Sequence, residues 1–478
     1  VDFSVDNGSV ASSILRCGKK IKCSGLIVTS GTFLNGLIHV GDSSFRAGRM
    51  GEAPSKGLTQ SIIKKGFRVG RLKTGTPPRV LKSSINWDLC DLAPGDTNPS
   101  PFSINSLNKF RPKNIPCHTV NTNEQVHLLL KENLRLSPMF SGKIKGIGPR
   151  YCPSIEDKVV RFENRPSHLL FLEPEWANSN QIYINGFSTS MPEAVQLKAL
   201  RQIPALKNVE FIRPGYAIEY DYFPSNQLKS TLETNKIQGL YFAGQVNGTS
   251  GYEEAAAQGL VAGINASSAL TEKTPLVLAR NQAYIGVLID DLITKTIDEP
   301  YRMFTSRAEH RLSLRPETAP LRLTPLAIKR NLISSNQENI FNRLGFEVSA
   351  LKKLLSSTKT TLFSNNTETL EKTILKNSAS ISEISRAVSG LKKYSKESLF
   401  IVETELKYKG YVKIENQRVS KFDKMESIKI PHTLNYKNLK NLSAEAMLKL
   451  DQTRPETLTA AANQRITSGS TRLPGEIS

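Results

Sequence analysis

Residues 237–259 read Ile-Gln-Gly-Leu-Tyr-Phe-Ala-Gly-Gln-Val-Asn-Gly-Thr-Ser-Gly-Tyr-Glu-Glu-Ala-Ala-Ala-Gln-Gly, the order of a buried strand, a glycine-rich turn and a helix. The apolar run 237–243 suits a strand covered on both faces, and an alanine-rich helix begins near Tyr252. Between them Gly244, Gly248 and Gly251 allow backbone N–H groups to approach a ligand, and the helix N-terminus adds partial positive charge. Gln245 projects from the same turn, so the segment is a candidate cradle for a ligand with an electron-rich ring edge. The competing reading is structural, with Thr249 or Ser250 as a simple helix cap.

A second strand of this kind precedes it. Leu26 to Thr29 is a short apolar run ending in the small-residue turn Ser30-Gly31-Thr32, the pattern of a buried parallel strand before its loop. A glycine-rich stretch follows, then Lys73-Thr74-Gly75-Thr76-Pro77-Pro78-Arg79, where paired prolines forbid continued helix or central strand and mark a domain crossing. Residues 80–115, rich in Ser, Asn and Pro, read as long surface loops; strand and helix patterns alternate from 116 to about 217. Beyond about 276, Leu, Ile and Lys recur at helical spacing, which predicts a helical C-terminal region. The expected organisation is residues 1–76 and 218–275 as two parts of one α/β domain, 77–217 as an inserted α/β domain, and 276–478 as a helical domain.

The chain has 478 residues, 38% of them hydrophobic, enough for more than one core. No apolar run is long enough to cross a bilayer as a helix. Lys and Arg outnumber Asp and Glu by 64 to 43, a net charge of +21, which favours a polyanion such as RNA through counterion release. A general proteome bias toward Lys on solvated faces is the bland alternative. The five cysteines, at 17, 23, 90, 117 and 152, form no CxxC pair and leave one odd thiol, which points away from a disulfide framework. Cys117, His118 and His127 lack a fourth ligand and the spacing of a structural zinc site.

Two further segments carry chemistry. Gly148-Pro149-Arg150-Tyr151-Cys152-Pro153-Ser154-Ile155-Glu156-Asp157-Lys158 predicts a helix with Pro153 at its first position and Glu156 and Asp157 in its first turn. Cys152 at the helix N-terminus, near Arg150, would favour thiolate and so a nucleophile; an inert buried cysteine is the alternative. In Tyr301-Arg302-Met303-Phe304-Thr305-Ser306-Arg307-Ala308-Glu309-His310-Arg311-Leu312-Ser313-Leu314-Arg315, a helix would align Arg307, Arg311 and Arg315 at i, i+4 and i+8, a guanidinium row suited to phosphates. Pairing with Glu299 or Glu309 is the competing use. Neither G-x-x-x-x-G-K-[ST] nor an intact G-x-G-x-x-G after a strand is present.

Taken together, Thr29-Ser30-Gly31-Thr32-Phe33-Leu34-Asn35-Gly36, the Gly70–Arg79 stretch, and the cysteine, glutamine–glycine and arginine segments resemble the MnmG/GidA family from about residue 26 to about 460. The resemblance implies an FAD-binding Rossmann-like domain, an inserted nucleotide-binding-like domain and a helical C-terminal domain. It implies a homodimeric flavoprotein that modifies C5 of the wobble uridine of tRNA with an MnmE-type GTPase, installing a carboxymethylaminomethyl- or taurinomethyl-type group. NADH would be the reductant and methylenetetrahydrofolate the one-carbon donor. On this pattern Cys152 is the catalytic thiol, whose addition to C6 of uracil would make C5 nucleophilic. Ser55, Gly244, Gln245, Gly248 and Gly251 match FAD-associated positions. Gly148, Arg150, Tyr151, Cys152, Pro153, Ser154, Glu156 and Lys158 lie in the NAD-associated stretch, and Arg302, Arg307, Arg311 and Arg315 are the RNA candidates.

The sequence opens at Val1, so the FAD-phosphate fingerprint and the family's other reactive cysteine are expected upstream, and Asn463 onward departs from the family's final helices. The arginine segment and the basic charge resemble the mitochondrial branch. Two rival readings are a folate- and FAD-dependent tRNA uridine methyltransferase, which lacks the long helical extension, and a non-catalytic tRNA-binding scaffold.

Overall fold

The computed structural model describes residues 2–461, apart from residues 98, 107–109, 111, 149–152, 296–298, 364–366, 377–378, 427, 432, 437–438, 440–441, 456 and 459–460. The chain divides into two compact units: residues 1–100, 111–277 and 291–303 form the first, and 101–110, 278–290 and 304–478 the second.

In the first unit the described strands are β1 (Asp2–Asp6), β2 (Ser9–Ile14), β3 (Lys20–Lys22), β4 (Leu26–Val28), β5 (Leu37–Val40), β6 (Ser43–Arg46), β7 (Gly70–Thr76), β8 (Arg79–Leu81), β9 (Asp91–Ala93), β10 (Cys117–Asn121), β11 (Leu169–Pro174), β12 (Gln181–Asn185), β13 (Phe211–Arg213), β14 (Tyr216–Tyr222) and β15 (Leu240–Phe242). The helices of that unit are α1 (Leu58–Lys64), α2 (Glu124–Glu132), α3 (Ile155–Arg161), α4 (Glu193–Leu200) and α5 (Tyr252–Leu270).

β4 and β15 pair in parallel, Leu26 opposite Leu240 and Val28 opposite Phe242, although some two hundred residues separate them. Leu240, Tyr241 and Phe242 are all buried, as a strand covered on both faces requires. The strand is shorter than the apolar run because Gly239, at φ +77°, turns the chain; a Cβ there would meet the Ser24 carbonyl at 2.4 Å. Phe242 stacks at 5.4 Å on Phe223 and 5.7 Å on Phe67, contacts worth about 0.5–1.5 kcal/mol each beyond burial.

An antiparallel sheet of order β6-β5-β14-β7 lies in the same unit. β7 and β14 are neighbours, Thr76 opposite Tyr216, and everything between them in sequence is an insertion. The chain leaves through Pro77-Pro78, where the ladder of β7 stops, and returns through Pro214-Gly215. The insertion builds an antiparallel sheet of order β13-β8-β12-β11-β10-β9. Leu170, Leu172, Ile182 and Ile184 alternate inward against Val126, Leu130, Ile155, Val159 and Leu200 of α2, α3 and α4, while Leu169 and Phe171 point outward.

The stretch 80–115, read as surface loops, is a correction: β8 is an interior strand of that sheet and β9 its edge. Three-residue strands are too short to show a period. Ile104 of the same stretch packs into the core of the second unit.

The helices that follow are α6 (Tyr284–Thr294), α7 (Ala319–Lys329), α8 (Ser335–Ser357), α9 (Leu370–Leu375), α10 (Ile381–Ala387), α11 (Lys396–Glu426) and α12 (Ala444–Thr453). Leu344, Val348, Leu351 and Leu355 form one stripe of α8 and close on Leu370, Ile374, Ile384, Val402 and Leu406. Ser334 and Gln337 form a capping box that starts α8, and Ser380 and Glu383 another that starts α10. Among the described residues no helix is long and apolar enough to cross a membrane.

Candidate functional site

The C-terminal ends of the two parallel strands are where an α/β sheet opens a crevice for a ligand. Here the turn after β4 meets the turn after β15: Ala243 N donates to Val28 O at 3.1 Å, and a Cβ on Gly31 would lie 3.4 Å from Gln245 Oε1. Ser55 joins the first turn through its backbone, its N–H donating to Phe33 O at 2.8 Å and its carbonyl accepting from Asn35 N at 3.2 Å. The structure therefore gathers Ser55, Gly244, Gln245, Gly248 and Gly251 about one place.

The glycines are needed on conformational grounds. Gly244 (φ +88°) and Gly248 (φ +79°) occupy the left-handed region, and a Cβ on Gly251 would fall 1.6 Å from Glu254 Oε2. Gly251, not Thr249 or Ser250, is the N-cap of α5, and it makes no side-chain cap bond.

The turn is shaped by a residue that the sequence alone did not single out. Gln258, wholly buried on α5, accepts from Gly244 N at 3.0 Å and Asn247 Nδ2 at 2.9 Å, and donates to Thr249 Oγ1 at 3.1 Å and Glu254 O at 3.1 Å. The available signal was an amide placed among alanines on a helix otherwise small enough to pack on a sheet. Glu254, also buried, accepts from Met303 N at 2.7 Å and pairs with Arg302 at 3.3 Å. Arg302 thus braces the glycine turn.

Buried polar atoms without protein partners cluster at these turns: Ser30 Oγ, Asn247 Oδ1, Ser250 Oγ and Glu254 Oε2. Each such atom costs stability unless something satisfies it. Burial also pushes the Tyr220 phenol well above its ordinary value, against the pull of Gln245 beside it. Backbone amides, a helix N-terminus and orphan hydrogen-bonding atoms fit the polar edge of a flavin ring; FAD is compatible with this donor and acceptor set.

The cysteine segment is described only in part, since Arg150, Tyr151 and Cys152 lie outside the described residues. Before them, Ile147 bridges Leu72 of β7, and a Cβ on Gly148 would meet Lys73 Cδ at 3.3 Å. Glu219 Oε1 accepts from Lys145 N at 3.1 Å and Gly146 N at 2.8 Å, while its Oε2 lies 2.9 Å from His39 Nε2. Burial would raise this carboxyl, but His39, the Gly146 and Lys145 amides and Arg71 together hold it below the usual range. Glu219 and His39 went unread in the sequence because they are some 180 residues apart and meet only through β5–β14 pairing.

After the gap the helix begins at Ile155, with Ser154 as N-cap accepting from Asp157 N at 3.2 Å. This corrects the expected start: Pro153 precedes the cap instead of occupying the first helical position, because Ser154 offers the side-chain acceptor that proline lacks. Lys158 donates to Gly186 O at 3.0 Å. Glu156 turns inward, fully buried, accepting from Ser190 N and Ser137 Oγ at 3.2 Å each. Burial pushes its carboxyl upward; its bonds to Ser137 and Ser190 tie two loops together from beneath, and at 0% exposure it presents no surface to a dinucleotide.

The arginine row is also corrected. Thr305–Arg307 is one 3-10 turn, a single turn follows in which Leu314 N donates to His310 O, and no α-helix spans 307–315. Arg315 precedes Pro316 and takes an extended conformation, φ −61° and ψ 147°, which ends any helix there. Arg311 is exposed, whereas Arg315 is mostly buried with its guanidinium 4.3 Å from the Tyr408 ring. Glu309, read as an internal partner for this segment, pairs with Arg280 at 2.7 Å.

Against known proteins, a family model described as "Glucose inhibited division protein A" matches residues 1–274, and one described as "tRNA modifying enzyme MnmG/GidA C-terminal helical bundle" matches residues 418–468. The chain is 46% identical over 468 residues to the Flavobacterium johnsoniae protein named "tRNA uridine 5-carboxymethylaminomethyl modification enzyme MnmG", covering 93% of this chain and 74% of that one. A Chlorobaculum tepidum protein of the same name is 44% identical, with 97% and 78% covered. The structure of Aquifex aeolicus GidA superposes with a TM-score of 0.85 at 40% identity, over 97% of this chain and 77% of that one. With a family model matching residues 1–274 and relatives 40–46% identical over nearly its whole length, the chain belongs to the MnmG/GidA family.

Proposed function

We propose that this chain modifies C5 of the wobble uridine of tRNA, adding a carboxymethylaminomethyl- or taurinomethyl-type group with FAD, NADH and a folate one-carbon unit, together with an MnmE-type GTPase. The observation that supports it is the 46% identity, over nearly the whole chain, to a protein named for carboxymethylaminomethyl modification of tRNA uridine.

Ser55, Gly244, Gln245, Gly248 and Gly251 would hold FAD, with Gln258 and Glu254 fixing the turn behind them. The chemistry a bound flavin supplies is two-electron redox transfer. The stretch from Gly148 to Lys158 would receive NADH, with Glu156 buried beneath it. Cys152 is the proposed nucleophile: its sulfur bonds to C6 of uracil, the C5–C6 π pair shifts toward the C4 carbonyl, and C5 becomes able to attack an electrophilic methylene. Arg307 and Arg311 are proposed to meet RNA phosphates individually. A homodimer and a mitochondrial location, the latter drawn from the arginine segment and the basic charge, belong to the same reading.

Nucleoside analysis of tRNA treated with the purified chain, its GTPase and the cofactors tests it. An aminomethyl-type wobble nucleoside, lost in Cys152→Ala, is expected. Plain 5-methyluridine would favour the methyltransferase, and unchanged tRNA with retained RNA binding would favour the scaffold. A tagged full-length protein found outside mitochondria would remove the location.

A further inference from the structure

The helical unit contains a cavity of about 1110 Å³ between α7, α8, α9 and α11. Its walls combine two kinds of surface. Leu312, Leu321, Leu355, Leu406 and Val412 supply apolar flanks, and six cations come from Arg315, Arg322, Lys352, Lys353, Lys409 and Lys413. Among the described residues two carboxylates line it, and both are engaged: Glu405 with Lys352 at 2.5 Å and Glu371 with Lys409 at 3.3 Å. Among the described residues Lys353 and Lys413 have no ion pair.

The two arginines are the sharper signal. Arg315 has Nε and Nη1 buried without a hydrogen-bond partner, its nearest carboxylate, Glu317, standing 3.8 Å from Nε. Arg322 donates to the carbonyls of Arg315 and Gln282 and meets no carboxylate among the described residues. Burial and the adjacent Arg315 charge both pull Arg322 below the usual guanidinium value. Two guanidiniums held together, one with two buried nitrogens lacking a hydrogen-bond acceptor, are a costly arrangement that an oxyanion relieves. The volume lies just above the range of small-molecule sites, roughly 300–1,000 Å³, so a body larger than a bare anion fits against the leucines.

We infer that this cavity binds a nucleoside phosphate, with the phosphates on Arg315, Arg322, Lys353 and Lys413 and the nucleoside against the apolar wall. The ligand is either a free nucleotide or the phosphorylated end of an RNA chain, which share this chemistry.

Calorimetric titration of the full chain with uridine diphosphate tests the site without presenting an adenine to the proposed flavin cradle. Saturable binding is expected, weakened by about tenfold or more in the double variant Lys353→Glu, Lys413→Glu, whose side chains are exposed and leave the helical core intact. Arg315→Lys, which keeps the charge but loses the guanidinium nitrogens, should weaken it several-fold. A short 5′-phosphorylated RNA that displaces the uridine diphosphate identifies a chain end as the ligand; one that does not leaves the free nucleotide. Equal affinity in the variants, or no binding at about millimolar concentration, overturns the proposal.

Discussion

The glycine turn at 244–251 in the first unit and the arginine stretch at 304–315 in the second are both read from sequence as ligand sites, yet only the first takes the local structure its sequence predicts. The turn is set by the backbone: an apolar run, glycines at φ +88° and +79°, and a helix start are local properties. The arginine row depended on a helix, and what replaces it is tertiary. Arg280 donates to Arg307 O at 3.1 Å and pairs with Glu309 and Asp290, holding turns where the periodicity alone favoured a helix. Backbone requirements survive the move from sequence to fold; a pattern of long charged side chains does not, since water and distant carboxylates satisfy it in many conformations.

The largest effect is expected at Gln258. Gln258→Met orphans the Gly244 and Asn247 donors, and should lower stability by about 2–5 kcal/mol in urea unfolding and, on the proposed function, abolish flavin retention. A variant that keeps both would show that the turn is fixed by its glycines alone.

Glu219→Ala should cost about 2–4 kcal/mol, because two backbone amides and His39 lose their acceptor. Since the folded carboxyl titrates below its unfolded value, its contribution is complete above the ordinary carboxylate range and fades as pH falls through the depressed value. The wild-type and variant stability curves should therefore converge in acid, and a constant gap down to low pH would refute this account of the loop.

In the second unit Arg280→Gln should cost less, about 1–2 kcal/mol, because Glu309 and Asp290 are partly exposed. Faster amide exchange at 307–314 with an unchanged turn at 244–251 is the expected pattern; no change at 307–314 would remove Arg280 as the organiser.

Arg311→Glu is the smallest effect on stability, within about 0.5 kcal/mol for an exposed side chain. If it touches an RNA phosphate, the salt dependence of tRNA binding should lose about one unit of slope. An unaltered slope would leave the whole stretch structural.

The sequence by itself determined the α/β start, the strand–turn–helix at 240–252, the proline crossing at 77–78 and the helical character beyond 276. Each follows from short-range periodicity or from what Gly and Pro permit. Only the tertiary structure decided that β4 pairs with β15, that the insertion is an antiparallel sheet, and that Gln258, Glu219 and His39 organise the turns. It also decided that Glu156 faces inward and that Arg315 lines a cavity with Arg322. These are contacts between residues far apart in the chain, and burial of a polar group is set by what packs against it, which no local spacing encodes.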